Sequence, residues 1–125
     1  MTAILDAGAL VAVDKRDRRV GAMLRLLHRD EVPLQTSAGV VAQVWRDGSL
    51  QANLARLLQG VDTVALDATS ARRVGELLGG NHTADVIDAH VAILVSPGDQ
   101  VFTSDEPDVR KLLRTRRVKA TVIRV

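Results

Sequence analysis

Short apolar runs alternate with helix-spaced stretches from one end of this 125-residue sequence to the other. Few architectures accept that pattern. Strands joined in turn by helices run parallel, and a parallel sheet must bury both faces under its helices. Thr2 to Leu5 is the first run and closes on Asp6. Ala7 to Val13 follows as a helix of small residues packed closely on the sheet, where Gly8 offers room for backbone to approach a ligand. Val20, Met23, Leu24 and Leu27 mark an amphipathic helix ending near His28. Val32 to Thr36 is a second strand, with Pro33 marking an edge or a strand start.

Ser37 caps a third helix carrying Val40, Val41, Val44 and Trp45, and Asp47-Gly48-Ser49 breaks it. Leu50 to Leu58 is a helix, Asp62 to Leu66 a third strand, and Asp67 begins a helix that runs to Gly79-Gly80. Thr83 is the expected N-cap of a helix whose apolar face is Ile87, Val91, Leu94 and Val95. Ser96-Pro97-Gly98-Asp99 stops it. Gln100 to Thr103 and Lys119 to Val125 supply the last two strands. The expectation is one α/β domain over residues 1–125, a three-layer sandwich with a central parallel sheet between helices.

Parallel sheets of this kind bind ligands at the carboxyl ends of their strands. Acids collect in the sequence at such positions. Asp6 closes the first strand and Asp105 follows the fourth, while Asp85 and Asp88 project from one face near a helix start. Taken singly, each has an ordinary explanation. Asp6 and Asp85 suit helix starts, Asp105 suits a turn, and Asp108 suits the first turn of the helix after it. Only their convergence at one end of the sheet would make them a site. Oxygen donors without sulfur or a matched histidine pair suit a hard ion, Mg²⁺ or Mn²⁺. With no cysteine in the chain, thiolate catalysis and zinc–thiolate sites are excluded. His28, His82 and His90 are too scattered for zinc, and His90 reads as structural.

The pI of about 9.7 reflects two basic clusters. One is Lys15-Arg16 with Arg18-Arg19; the other runs from Arg110-Lys111 through Arg114 and Arg116-Arg117 to Lys119. Such runs are either a solvated face or seats for phosphate. Trp45 and Phe102 are the only aromatics, which argues against a stacking platform for bases. No apolar run is long enough to span a membrane, and no basic segment precedes an apolar one at the start, so a cytoplasmic protein is expected.

Four segments together resemble the PIN domain, and more narrowly the VapC-type toxins of toxin–antitoxin pairs. They are Ile4-Leu5-Asp6-Ala7-Gly8-Ala9-Leu10, Val40-Val41-Ala42-Gln43-Val44-Trp45-Arg46, Asp85-Val86-Ile87-Asp88-Ala89-His90 and Thr103-Ser104-Asp105. The resemblance covers essentially the whole chain. It implies a Mg²⁺- or Mn²⁺-dependent endoribonuclease, a homodimer, and a small antitoxin partner that covers the site. It lays the acidic cluster on Asp6, on Asp85 or Asp88, and on Asp105, with Thr103, Ser104 and Asp108 in support. One position departs. Gln43 stands where the family usually has Glu, and an amide keeps an oxygen donor while losing a charge. Two outcomes follow: a nuclease that works through its remaining acids, or a weakened module that acts by binding RNA or protein. A phosphate-accepting receiver domain shares the strand–helix alternation but needs a lysine where Asp105 follows the strand.

Overall fold

A computed structural model of the protein describes residues 1–82 and 85–125. The strands are β1 (Ala3–Leu5), β2 (Leu34–Ser37), β3 (Val61–Val64), β4 (Gln100–Thr103) and β5 (Thr121–Arg124). The helices are α1 (Ala7–Asp14), α2 (Arg18–Arg29), α3 (Ala38–Val44), α4 (Ala52–Gln59), α5 (Ala68–Gly79), α6 (Val86–Leu94) and α7 (Glu106–Arg116). All strand pairs are parallel, in the order β3-β2-β1-β4-β5. This is the expected α/β sandwich. The chain builds outward from β1 in one direction through β2 to β3. It then crosses back to lay β4 on the other side of β1. Right-handed crossovers put helices reached by opposite travel on opposite faces. Accordingly α1 packs with α2, α3 and α4, while α5, α6 and α7 pack with one another.

β1 is buried at every residue, and its neighbours β2 and β4 are buried toward their carboxyl ends. Ile4, Leu5, Val101 and Phe102 form the middle of the core, with Leu10 and Leu54 on one side and Val91 and Leu112 on the other. The small residues of α1 earn their place through contact with the β4 end. A Cβ built on Gly8 would lie 2.5 Å from Ser104 Oγ and 2.9 Å from the Ser104 backbone nitrogen. The room expected for a ligand at Gly8 is therefore taken by the β4–α7 turn.

Several boundaries differ from expectation: β2 spans Leu34–Ser37 rather than 32–36, and β5 spans Thr121–Arg124 rather than 119–125. β3 spans Val61–Val64 rather than 62–66, because its only neighbour, β2, ends at Ser37 opposite Val64. Leu66 is left 41% exposed. α4 starts at Ala52, and Leu50, 82% exposed, belongs to the preceding turn. There the Asp47 carboxylate accepts the Ser49 N–H and hydroxyl. α6 is capped by Asp85; Thr83, the expected cap, lies outside the described residues. Pro33 precedes β2, an interior strand, so it marks a start and not an edge. The Ser96–Asp99 turn is pinned by Asp99, whose buried carboxylate accepts the Thr2 and Ser96 N–H groups, each at 2.8 Å. Among the described residues no helix is long and apolar enough to cross a membrane.

Candidate metal centre

The strand order reverses between β1 and β4, and the crevice beyond that junction is where open α/β sheets hold ligands. Asp6 leaves β1 on one side of it and Asp105 leaves β4 on the other. Asp6 is 6% exposed and N-caps α1, its Oδ1 accepting the Ala7 N–H at 2.8 Å. Its Oδ2 accepts the Thr103 hydroxyl at 2.7 Å, and Thr103 Oγ1 in turn accepts the Asp105 N–H at 3.0 Å. One buried threonine thus fixes the orientation of the first acid and the backbone of the second. Ser104, exposed, abuts Gly8 instead of joining this relay.

α6 brings two further acids. Asp85 is exposed, and its Oδ1 accepts the Asp88 N–H at 2.7 Å, the N-cap bond that fixes the first turn. Asp88 is half-buried and projects toward the crevice. Burial raises its pKa from 3.8 to about 6, with further contributions from repulsion by Asp85, Asp6, Asp105 and Asp108. Asp105 N-caps α7 by position only, since its side chain makes no capping bond. Desolvation, a hydrogen bond shared with Asp108 and repulsion from Asp108 and Asp6 hold its carboxyl above the ordinary range.

Carboxylate oxygens of Asp88, Asp105 and Asp108 all lie within 4.8 Å of one another. Asp6 stands close enough to repel Asp88 and Asp105 but outside that group. The sequence ranks Asp108 as a supporting residue; the structure puts it among the three closest acids. Its signal is its spacing: Asp108 sits one turn after Asp105, on the helix face that starts at the crevice. The donor set, all carboxylate and loaded with repulsion, fits a hard divalent cation.

Gln43 is exposed on α3 and hydrogen-bonds none of these acids. It shares a helix face with Gly39, one turn earlier. A Cβ on Gly39 would lie 3.0 Å from Ile87 Cγ1, so that face is turned toward the first turn of α6. His90 is remote from ligand chemistry. It is 1% exposed, and its Nδ1 lies 2.6 Å from the hydroxyl of Ser37, the cap of α3. Ser37 Oγ also accepts the Gly39 N–H, and among the described residues His90 Nε2 is buried without a hydrogen-bond partner. Desolvation lowers the His90 pKa and keeps the ring neutral. Two polar residues, Gln51 buried and Arg116 partly buried, make contacts that the sequence pattern does not foretell. Gln51 Oε1 accepts the Arg46 and Asp47 N–H groups while its amide donates to Val44 O and Asp14 Oδ2. Arg116 donates to the Ala92 and Val95 carbonyls at the end of α6.

No protein-family model matches this sequence, and no curated protein does. Among solved structures, a chain in the crystal structure of VapBC2 from Rickettsia felis bound to a DNA fragment from their promoter shares its fold. The TM-score is 0.69 at 17% sequence identity, covering 98% of this chain and 98% of that one. The PIN-like fold expected from the four segments is therefore the observed one.

Proposed function

We propose that this chain is a metal-dependent endoribonuclease and the toxin of a toxin–antitoxin pair. The observation that carries the proposal is the convergence of Asp88, Asp105 and Asp108 at the β1/β4 junction, with Asp6 beside them. These acids would hold Mg²⁺ or Mn²⁺, which supplies an acidified water and neutralises charge on the phosphate. The chain's own residues do the rest. Thr103 orients Asp6, and the Asp85–Asp88 cap bond fixes the turn from which Asp88 projects. Asp85, at the rim, would orient an attacking water. Asp88 is the better match to the third family acid, because Asp85 is exposed and spends Oδ1 on the backbone. Asp6→Asn and Asp105→Asn should each reduce Mn²⁺ affinity by at least tenfold in calorimetry with RNA present; wild-type protein indifferent to both ions would count against the proposal.

A partner is supported by a groove of about 740 Å³ between α2 and α4. Leu24, Leu34 and Leu57 line it, among arginines that include Arg18, Arg25 and Arg56. That mix suits an amphipathic acidic helix of an antitoxin. The groove opens at the amino-terminal edge of the sheet, so such a partner needs a further segment passing α1 to cover the acids. The remaining expectations, a homodimer acting on cytoplasmic RNA, accompany this reading.

The alternative is a binding module with little cleavage. What favours it is Gln43, a neutral and unbonded side chain on the face turned toward α6. Single-turnover RNA cleavage across a Mn²⁺ titration, wild type against Gln43→Glu, separates the two. A crippled site gains metal affinity and rate from the added charge. A site complete through Asp88, Asp105 and Asp108 changes little. Binding of RNA by both proteins with cleavage by neither favours the module.

A further inference from the structure

From Val109 to Val125 the sequence contains no Asp or Glu, while Arg110, Lys111, Arg114, Arg116, Arg117, Lys119 and Arg124 all fall there. The three residues before it that carry charge, Asp105, Glu106 and Asp108, are all acidic. α7 is thus acidic where it meets the crevice and basic where it leaves it. Its basic half borders a groove of about 240 Å³ shared with the segment entering β5, lined by Arg110, Arg114, Lys119, Leu113, Val118 and Val122. No acidic residue lines it. Arg110 pairs with Glu106 at 2.7 Å on the surface, an exposed i,i+4 pair of small strength. Among the described residues neither Arg114 nor Lys119 has an ion-pair partner.

We propose that the α7–β5 groove, outside the acid site, is a seat for the phosphate backbone of single-stranded RNA. The proposal rests on the ribonuclease reading above. Its exposed cations, Arg110, Arg114 and Lys119, match a chain of phosphates. No aromatic lines it, so it cannot stack bases and should tolerate any sequence. α7 spans about 16 Å at 1.5 Å per residue. That length lets a short run of backbone phosphates lie along the helix. RNA anchored in the groove and lying along α7 would present a phosphate a few nucleotides away to the carboxylates. The anchor offsets the repulsion that the acidic end of the helix exerts on the same strand.

A competing account of the charges is protection of β5, an edge strand, from pairing with another chain. The test uses the full chain carrying Asp88→Asn and Asp105→Asn, so that RNA is bound without being cut. Anisotropy of a labelled single-stranded RNA oligonucleotide is followed across a salt titration, with and without Arg110→Gln, Arg114→Gln and Lys119→Gln together. The expected result is a slope of log affinity against log salt reduced by about 2, at roughly 0.7 per lost phosphate contact, with unchanged thermal unfolding. Replacing both arginines by lysine should keep the slope. An unchanged slope in the Gln variant, with new aggregation, would overturn the proposal in favour of edge protection. If wild-type protein cleaves RNA while the Gln variant keeps the slope, the groove fails and the nuclease stands. If wild-type protein neither cuts nor binds RNA, both fall.

Discussion

Thr103 joins the two sides of the acid site through one hydroxyl, donating to Asp6 and accepting from the Asp105 backbone. Thr103→Val keeps the shape and removes both bonds, leaving a buried carboxylate oxygen unpaired. The expected loss is about 1–3 kcal/mol of stability by urea denaturation, with weakened Mn²⁺ binding; Thr103→Ser should restore most of both. Asp88 makes a prediction about pH. Its folded pKa of about 6 stands above the ordinary 3.8, so the folded chain holds a proton that the unfolded chain has already released. That contribution to stability is full below about pH 4 and is lost as pH rises through about 6. Without divalent ions, Asp88→Asn should therefore be more stable than wild type near neutral pH, and its stability should change less across that interval. Because ion and proton compete for the same oxygens, Mn²⁺ affinity should rise with pH through the same range. A wild-type urea midpoint that climbs across it, relative to Asp88→Asn, would contradict the assignment.

At the scale of elements, the acids were legible in the sequence wherever an element ends on one. Asp6 and Asp105 are fixed by the strand ends they follow. Asp108 was undervalued because a first-turn acid is commonplace, and only the crossing of α6 over α7 brings Asp88 to it. The ends of β3 and α4 were not legible. They depend on where a neighbouring strand stops and on the Asp47 turn, neither of which leaves a local pattern. The contacts of Gln51 and Arg116 are not legible for the same reason, since their partners are mostly backbone groups brought near by the fold. Arg116 is the more telling. It caps the carbonyl end of α6 from α7, holding the two acid-bearing helices together at the ends away from the crevice. Arg116→Met keeps much of the stem and loses the fork. About 1–3 kcal/mol should go with it, and Mn²⁺ binding should weaken as α6 and α7 loosen. Unaltered ion affinity in a destabilised Arg116→Met protein would show that the helices are held apart from the cap.

Across the whole molecule the two edges of the sheet have different duties. The carboxyl edge gathers repelling acids and gives up stability. At the amino edge, Asp99 accepts the Thr2 and Ser96 N–H groups and adds stability through an acid that faces no ion. Asp99→Ala should lower stability by on the order of 2 kcal/mol and leave Mn²⁺ affinity of the folded protein unchanged. Asp88→Asn should do the reverse. Calorimetry beside denaturation checks the pair, and a loss of ion affinity in Asp99→Ala would deny the separation of the edges.

The placement of β1 between β2 and β4 has a consequence for how the protein is made. The hydroxyl that orients Asp6 belongs to a residue 97 positions later in the chain. Until β4 has left the ribosome, β1 has β2 but lacks its other neighbour, and Asp6 has only its own helix start. Contacts this distant in sequence form late, after the entropy of a long loop has been overcome. An unfinished chain therefore cannot assemble the acids, however much of α1 to α5 it has folded. Whatever chemistry the site performs is withheld until β4 has been made and has docked beside β1.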